Sequence, residues 1–166
     1  MELTWGKPRD IVWFLKKVTE LFADQRTLSK NQINAAVRVY AIDSWNEMKS
    51  GLSTYMDEQA LIEMDDFLKV YASESLERGH ICTYEKFIEN INSHFLRFLT
   101  SKSNGSDKIR SMAVTMFDLL YQMGIFYTVR IDDKGNKIYD RFHRGQSHPN
   151  RLGFVVMHRL VAKSFS

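Results

Sequence analysis

Apolar residues recur at helical spacing along most of the chain. Pro8 suits a first helical position, where its missing N–H would lack a partner anyway. Ile11, Val12, Phe14, Leu15, Val18, Leu21 and Phe22 then follow at intervals of three and four. The polar run Asp24–Thr27 ends this helix. Ser29-Lys30-Asn31-Gln32 reads as a capping box opening a second helix, with Ile33, Val37, Tyr40, Ala41 and Trp45 as its buried stripe and Gly51 as its stop. A third helix is expected from about Met56 to Arg78, carrying Leu61, Ile62, Met64, Phe67, Leu68 and Tyr71. Acidic residues crowd its front half, where the helix dipole favours them. Thr83 can cap a fourth helix, with Phe87, Ile88, Ile91, Phe95, Leu96 and Leu99 inward. Ser101–Ser106 reads as a linker, and Ile109–Met123 as a fifth helix ended by Gly124.

The pattern then changes period. Ile125–Ile131 is rich in aromatic and β-branched residues. Asp132-Asp133-Lys134-Gly135-Asn136 is turn chemistry, and Lys137–Phe142 resumes as a strand, so a β-hairpin is predicted. Gly153–Met157 is extended or helical, and a short helix over His158–Phe165 closes the chain. The expected fold is mainly α: a helical bundle followed by a winged-helix-like unit with one β-hairpin. Residues 1–100 form a helical lobe and 101–166 the winged-helix-like lobe with a basic tail. The helix at 83–100 packs with either.

Composition adds modestly to this picture. The 166 residues are 44% hydrophobic and 26% charged, a globular balance. That only two prolines occur favours long helices. The single cysteine, Cys82, excludes an internal disulfide and fits a reducing compartment. The longest apolar runs, Ile11–Leu15 and Phe154–Met157, are too short to cross a bilayer, and no secretory leader is evident. A cytoplasmic protein without membrane attachment is expected. Charge is divided unevenly: residues 1–100 carry 12 Lys/Arg against 15 Asp/Glu, and residues 101–166 carry 11 against 5. Two faces with different partners follow from such a split.

The search for catalytic chemistry returns negatives. No phosphate-binding glycine loop of either common spacing occurs. His80 with Cys82, and His143 with His148, lack the further ligands that a zinc set needs. Asp65 and Asp66 are adjacent on a helix and diverge, whereas catalytic carboxylates converge. Asp132 and Asp133 are accounted for by the turn. No catalytic or metal residue is expected, and no cofactor in this chain.

Two features stand above that background. Gly6-Lys7-Pro8-Arg9-Asp10 opens a helix, where exposed N–H groups and basic side chains favour an anion, or where Pro8 starts an ordinary helix. Helices four and five followed by the hairpin match a winged-helix layout, with Lys134, Lys137, Arg141, Arg144 and Arg151 on and after the wing. These residues suit nucleic acid or an acidic partner protein, or form a solvated basic surface.

Gly6-Lys7-Pro8-Arg9-Asp10-Ile11 resembles the G-x-P-R-[DE] segment that follows the core of bacterial STAND-like and KAP-like P-loop ATPases. Leu120–Ile125, Phe142-His143-Arg144-Gly145 and Val156–Leu160 resemble the closing winged-helix region of such proteins. The resemblance implies that Gly6, Lys7, Pro8 and Arg9 face a nucleotide held by a separate N-terminal ATPase core, with ATP and Mg bound by the full-length protein. This chain would then be a C-terminal piece: a regulatory module with no catalysis of its own, coupling nucleotide state to a partner or nucleic acid. A stand-alone winged-helix DNA-binding protein and a helical protein–protein adaptor are the alternatives.

Overall fold

The computed structural model describes residues 8–78, 82–95, 106–142 and 145–165. Six helices and four strands lie among them. Helix α1 spans Pro8–Leu21, α2 Lys30–Leu52 and α3 Glu58–Arg78. Strand β1 is Cys82–Thr83, followed by α4 (Tyr84–His94) and α5 (Ser106–Gln122). Strands β2 (Phe126–Ile131), β3 (Lys137–Asp140) and β4 (Phe154–Met157) precede α6 (Arg159–Ser164). The mainly helical expectation holds, and the strands form one antiparallel sheet in the order β1-β4-β2-β3.

The helix starts follow their local chemistry. Ser29 Oγ accepts from the Gln32 N–H while Gln32 Oε1 accepts from the Ser29 N–H, so the capping box is complete. Thr83 Oγ1 accepts from the Lys86 N–H and starts α4. Helix α3 begins at Glu58 rather than Met56, because the Asp57 carboxylate accepts from the Ala60 N–H at 2.9 Å. Met56 stays in the preceding turn and is buried there. His158 plays the same part for α6, with Nδ1 accepting from the Leu160 N–H.

The hairpin is part of a larger sheet. The 153–157 stretch is a strand over Phe154–Met157, and β4 pairs along the side of β2 opposite β3. Cys82 and Thr83, between two helices, pair with Val155 and Phe154. A two-residue strand carries no periodic signal, which is why the sequence pattern missed it. The second hairpin strand ends at Asp140, short of Phe142. In the turn between β2 and β3, Gly135 has φ +81°, a conformation that side chains disfavour. Asp132 accepts there from the Lys134 and Asn136 N–H groups and from the Asn136 side chain.

One aromatic core joins α3, α4, α5 and the inner face of the sheet. Phe87 lies at its centre, fully buried, with ring centroids at 4.6 Å from Phe126, 5.3 Å from Tyr71, 5.4 Å from Phe117 and 5.8 Å from Phe67. These edge-on contacts suit the ring quadrupoles. The Tyr71 hydroxyl donates to the Val155 carbonyl, tying α3 to β4. The same core reaches Trp45 on α2 and Val161 on α6, so it runs across position 100. Trp45 Nε1 donates to Asp65 Oδ1, and Lys49 Nζ bonds Asp65 Oδ2 at 2.6 Å, which fastens α2 to α3.

A smaller cluster of Val37, Tyr40, Ala41 and Leu160 receives Trp13 and Phe14 of α1. The buried stripe expected on α2 needs correction at Ile33. Ile33 on α2 and Ile62 on α3 are exposed, because no element covers their faces among the described residues. Ile11, Val12 and Leu15 of α1 are exposed as well, since α1 packs on α2 through Trp13 and Phe14.

Candidate nucleic-acid interface

Strand pleating sends alternate side chains of the sheet to opposite faces. The inner face takes Phe126, Thr128, Val155 and Met157, all buried. The outer face is arranged in cross-strand rows. Lys137 stands opposite Ile131, and Tyr139 opposite Val129, which is itself opposite Phe154. Tyr127 stands opposite Val156 in the next row. Arg141, two residues beyond Tyr139, closes that row: its guanidinium carbon lies 4.6 Å from the Tyr127 ring centroid and 5.4 Å from that of Tyr139. The two tyrosine rings are 6.0 Å apart.

This face is unusually apolar for a surface. Ile131 is 60% exposed, Tyr139 43% and Phe154 38%, while Val129 between the two rings is buried. Cations border it. Lys137, Tyr139 and Arg141 occupy alternate positions along one edge strand, so a cation flanks Tyr139 on either side. Lys137 is exposed and Arg141 half-buried. Over two residues a strand advances about 6.7 Å, so Lys137 and Arg141 stand roughly 13 Å apart at their backbones.

The expected basic set therefore separates into parts. Lys137 and Arg141 share the outer face with the aromatic rings. Lys134 lies exposed in the β2–β3 turn, beside an Asp132 carboxyl held below the usual range, first by the Asn136 side chain and then by backbone N–H donors. Arg151 does not join them: its Nη2 is 3.1 Å from Asp118 Oδ2, an ion pair that ties the loop before β4 to α5. Arg144 lies outside the described residues. Arg130 projects on the inner side of the sheet's edge, with Nε 3.4 Å from Asp140 Oδ2.

The segment expected to face a nucleotide falls mostly outside the described residues. Gly6 and Lys7 lie outside the described residues, as does the side chain of Arg9, and Pro8 is the first residue of α1. His80 and His143 also lie outside. Asp65 is a structural partner of Trp45 and Lys49. No group of three or more His, Cys, Asp or Glu that would hold a metal occurs among the described residues. No described helix is long and apolar enough to cross a membrane.

Sequence reasoning placed Lys134, Lys137 and Arg141 but missed Tyr127, Tyr139, Ile131 and Phe154 as their companions. The signal was there: Lys137, Tyr139 and Arg141 alternate, as do Tyr127, Val129 and Ile131. What alternation cannot give is which face the helices cover. Comparison with family models, with curated proteins and with solved structures finds no match to this chain.

Proposed function

We propose that this chain is a non-catalytic winged-helix module that binds nucleic acid through the outer face of its sheet. The order of elements supports the winged-helix part. A helix, a short strand, two helices and then three strands follow one another in α3-β1-α4-α5-β2-β3-β4, with β2 and β4 paired antiparallel. The short strand β1 joins the edge of β4 as in that architecture. Strand β3 is then an addition within the wing, extending the sheet on its other side.

The observation that carries the functional part is the placement of Lys137 and Arg141 around Tyr127 and Tyr139 on the outer face of the sheet in the basic half. Phosphates take the cations, and aromatic rings take bases. The test is a titration of the full chain with mixed-sequence nucleic acid, duplex and single-stranded, across about 50 to 200 mM salt. Affinity is expected to fall steeply with salt, and the Lys134→Glu, Lys137→Glu double variant to bind several-fold more weakly. Flat titrations at the lowest salt would exclude the reading.

A second reading, regulation by a P-loop ATPase core carrying ATP and Mg, is favoured by one observation. Ile11, Val12 and Leu15 leave an apolar stripe open on α1, directly after the Gly6–Arg9 segment. A core seated on that helix would cover it. In a protein carrying such a core, Arg9→Ala is expected to weaken ATP binding or turnover, and unchanged values would remove this role.

A further inference from the structure

We propose that the outer sheet face is a stacking platform for the unpaired bases of a single strand, with Tyr139 and Phe154 as the exposed rings. This deepens the nucleic-acid reading and rests on it. The row Tyr139–Val129–Phe154 crosses three neighbouring strands. The two rings therefore flank a buried valine at a backbone separation of about 10 Å. Such a floor offers flat apolar area and few hydrogen-bonding groups. A duplex presents phosphates and groove edges to a protein and keeps its base faces stacked on each other, so it gains little from this floor. A single strand can splay its bases onto rings, and each stacked base is sequence-tolerant because every base has a π-face.

The charge pattern fits the same ligand. Lys137 and Arg141 lie at alternate positions on either side of Tyr139, along the β3 edge of the described sheet. A backbone running beside β3 meets a cation before and after the ring that holds its base. Arg141 lies over the Tyr127 ring, its guanidinium carbon 4.6 Å from the centroid, which fixes where that positive charge sits. Ile131, paired with Lys137 across β2 and β3, extends the apolar surface towards the turn.

The experiment uses the full chain with three labelled probes: an oligothymidylate of about 15 nucleotides, an abasic phosphodiester of the same length, and a duplex of that length. The abasic strand keeps the phosphates and removes the bases. The oligothymidylate is expected to bind about tenfold tighter than the abasic strand. It is also expected to bind tighter than the duplex. Tyr139→Leu should reduce the difference between oligothymidylate and abasic strand, Tyr139→Leu with Phe154→Leu should abolish it, and Tyr139→Phe should retain it. Lys137→Glu should weaken both strands alike. Tyr139 is partly exposed, so its variants are expected to fold, which circular dichroism checks. Equal affinity for the two strands, preference for the duplex, or an unaltered Tyr139→Leu variant overturns the stacking proposal while nucleic-acid binding stands. Failure of all three probes to bind overturns the underlying reading along with it.

Discussion

Replacing Gly153 by alanine should damage the joint between the sheet and the helices. A Cβ built at this position falls 2.8 Å from the Val129 carbonyl oxygen and 3.3 Å from its carbon. Both are backbone atoms of β2, so no side chain can swing aside. The backbone there is also pinned on its other side, since the Gly153 carbonyl accepts from the Tyr84 N–H at 3.1 Å. Relief of the clash must pull Phe154 away from its partner Val129, or disturb the first turn of α4. Overpacking of this kind costs roughly 1–3 kcal/mol. For a domain of this length each kcal/mol moves the melting temperature by about 2–4 °C, so a fall of roughly 2–12 °C is expected. Thermal melts of the two proteins followed by circular dichroism in one buffer measure it. Gly135→Ala is the contrast: nothing lies within 4 Å of the added carbon, and only the positive φ is strained. A Gly153→Ala protein that melts within about 1 °C of the parent would refute the close approach of β4 to β2.

Three further outcomes are expected. Burial, and then the nearby Asp140 charge, push the Tyr121 phenol from 10.0 to about 12, so stability is whole below pH 10 and declines between pH 10 and 12, where the unfolded chain releases its proton first. Denaturant titrations over that range should show the decline, and Tyr121→Phe should flatten part of it. Asp65→Ala removes the acceptor shared by Trp45 and Lys49 and should lower unfolding stability by about 1–2 kcal/mol in urea, with the Trp45 fluorescence altered. Phe87→Ala empties the centre of the aromatic core and should lose about 3–5 kcal/mol, enough to unfold much of the protein at moderate temperature.

Most of the helices were legible because their signals are local. The Ser29–Gln32 box, the Thr83 cap and the closing helix after His158 all lie where side-chain spacing places them. The hairpin was legible for the same reason, since Asp132 and Gly135 fix the turn without outside help. The sheet as a whole was not. Strand β1 has two residues, and its pairing with β4 joins Cys82 to Val155 across most of the second half of the chain. Nothing in a short window encodes such a partnership. Burial of the apolar stripes was legible only where another element arrived to cover them. Val37 and Tyr40 are covered by α1 and Leu160, but Ile33 is not. The candidate site divides likewise: charge could be read residue by residue, whereas the loss of Arg151 to Asp118 depends on a contact between α5 and a distant loop.

That ion pair also bears on which surface would meet the proposed nucleic-acid ligand. In a winged-helix module that reads a duplex, the helix before the wing enters the groove, which here would be α5. The described exposed positions of α5, Ser111, Thr115 and Gln122, are uncharged, and half-buried Asp118 shares their side of the helix. Arg151, which would supply a cation beside this surface, is held by Asp118. The described part of this surface therefore carries Asp118 and no cation besides Arg151, whereas Lys137 and Arg141 lie on the sheet face. Asp118→Asn separates the two routes of approach. It removes one negative charge from α5 and releases Arg151. A ligand lying along α5 should gain several-fold in affinity, because a phosphate would meet a new cation and one fewer acid. A ligand on the sheet face should notice little at physiological salt, where exposed charges beyond about 8 Å are largely screened. Paired titrations of Asp118→Asn and Lys137→Glu at one salt concentration decide it. A gain for the first with no loss for the second would move the binding surface from the sheet to the helix.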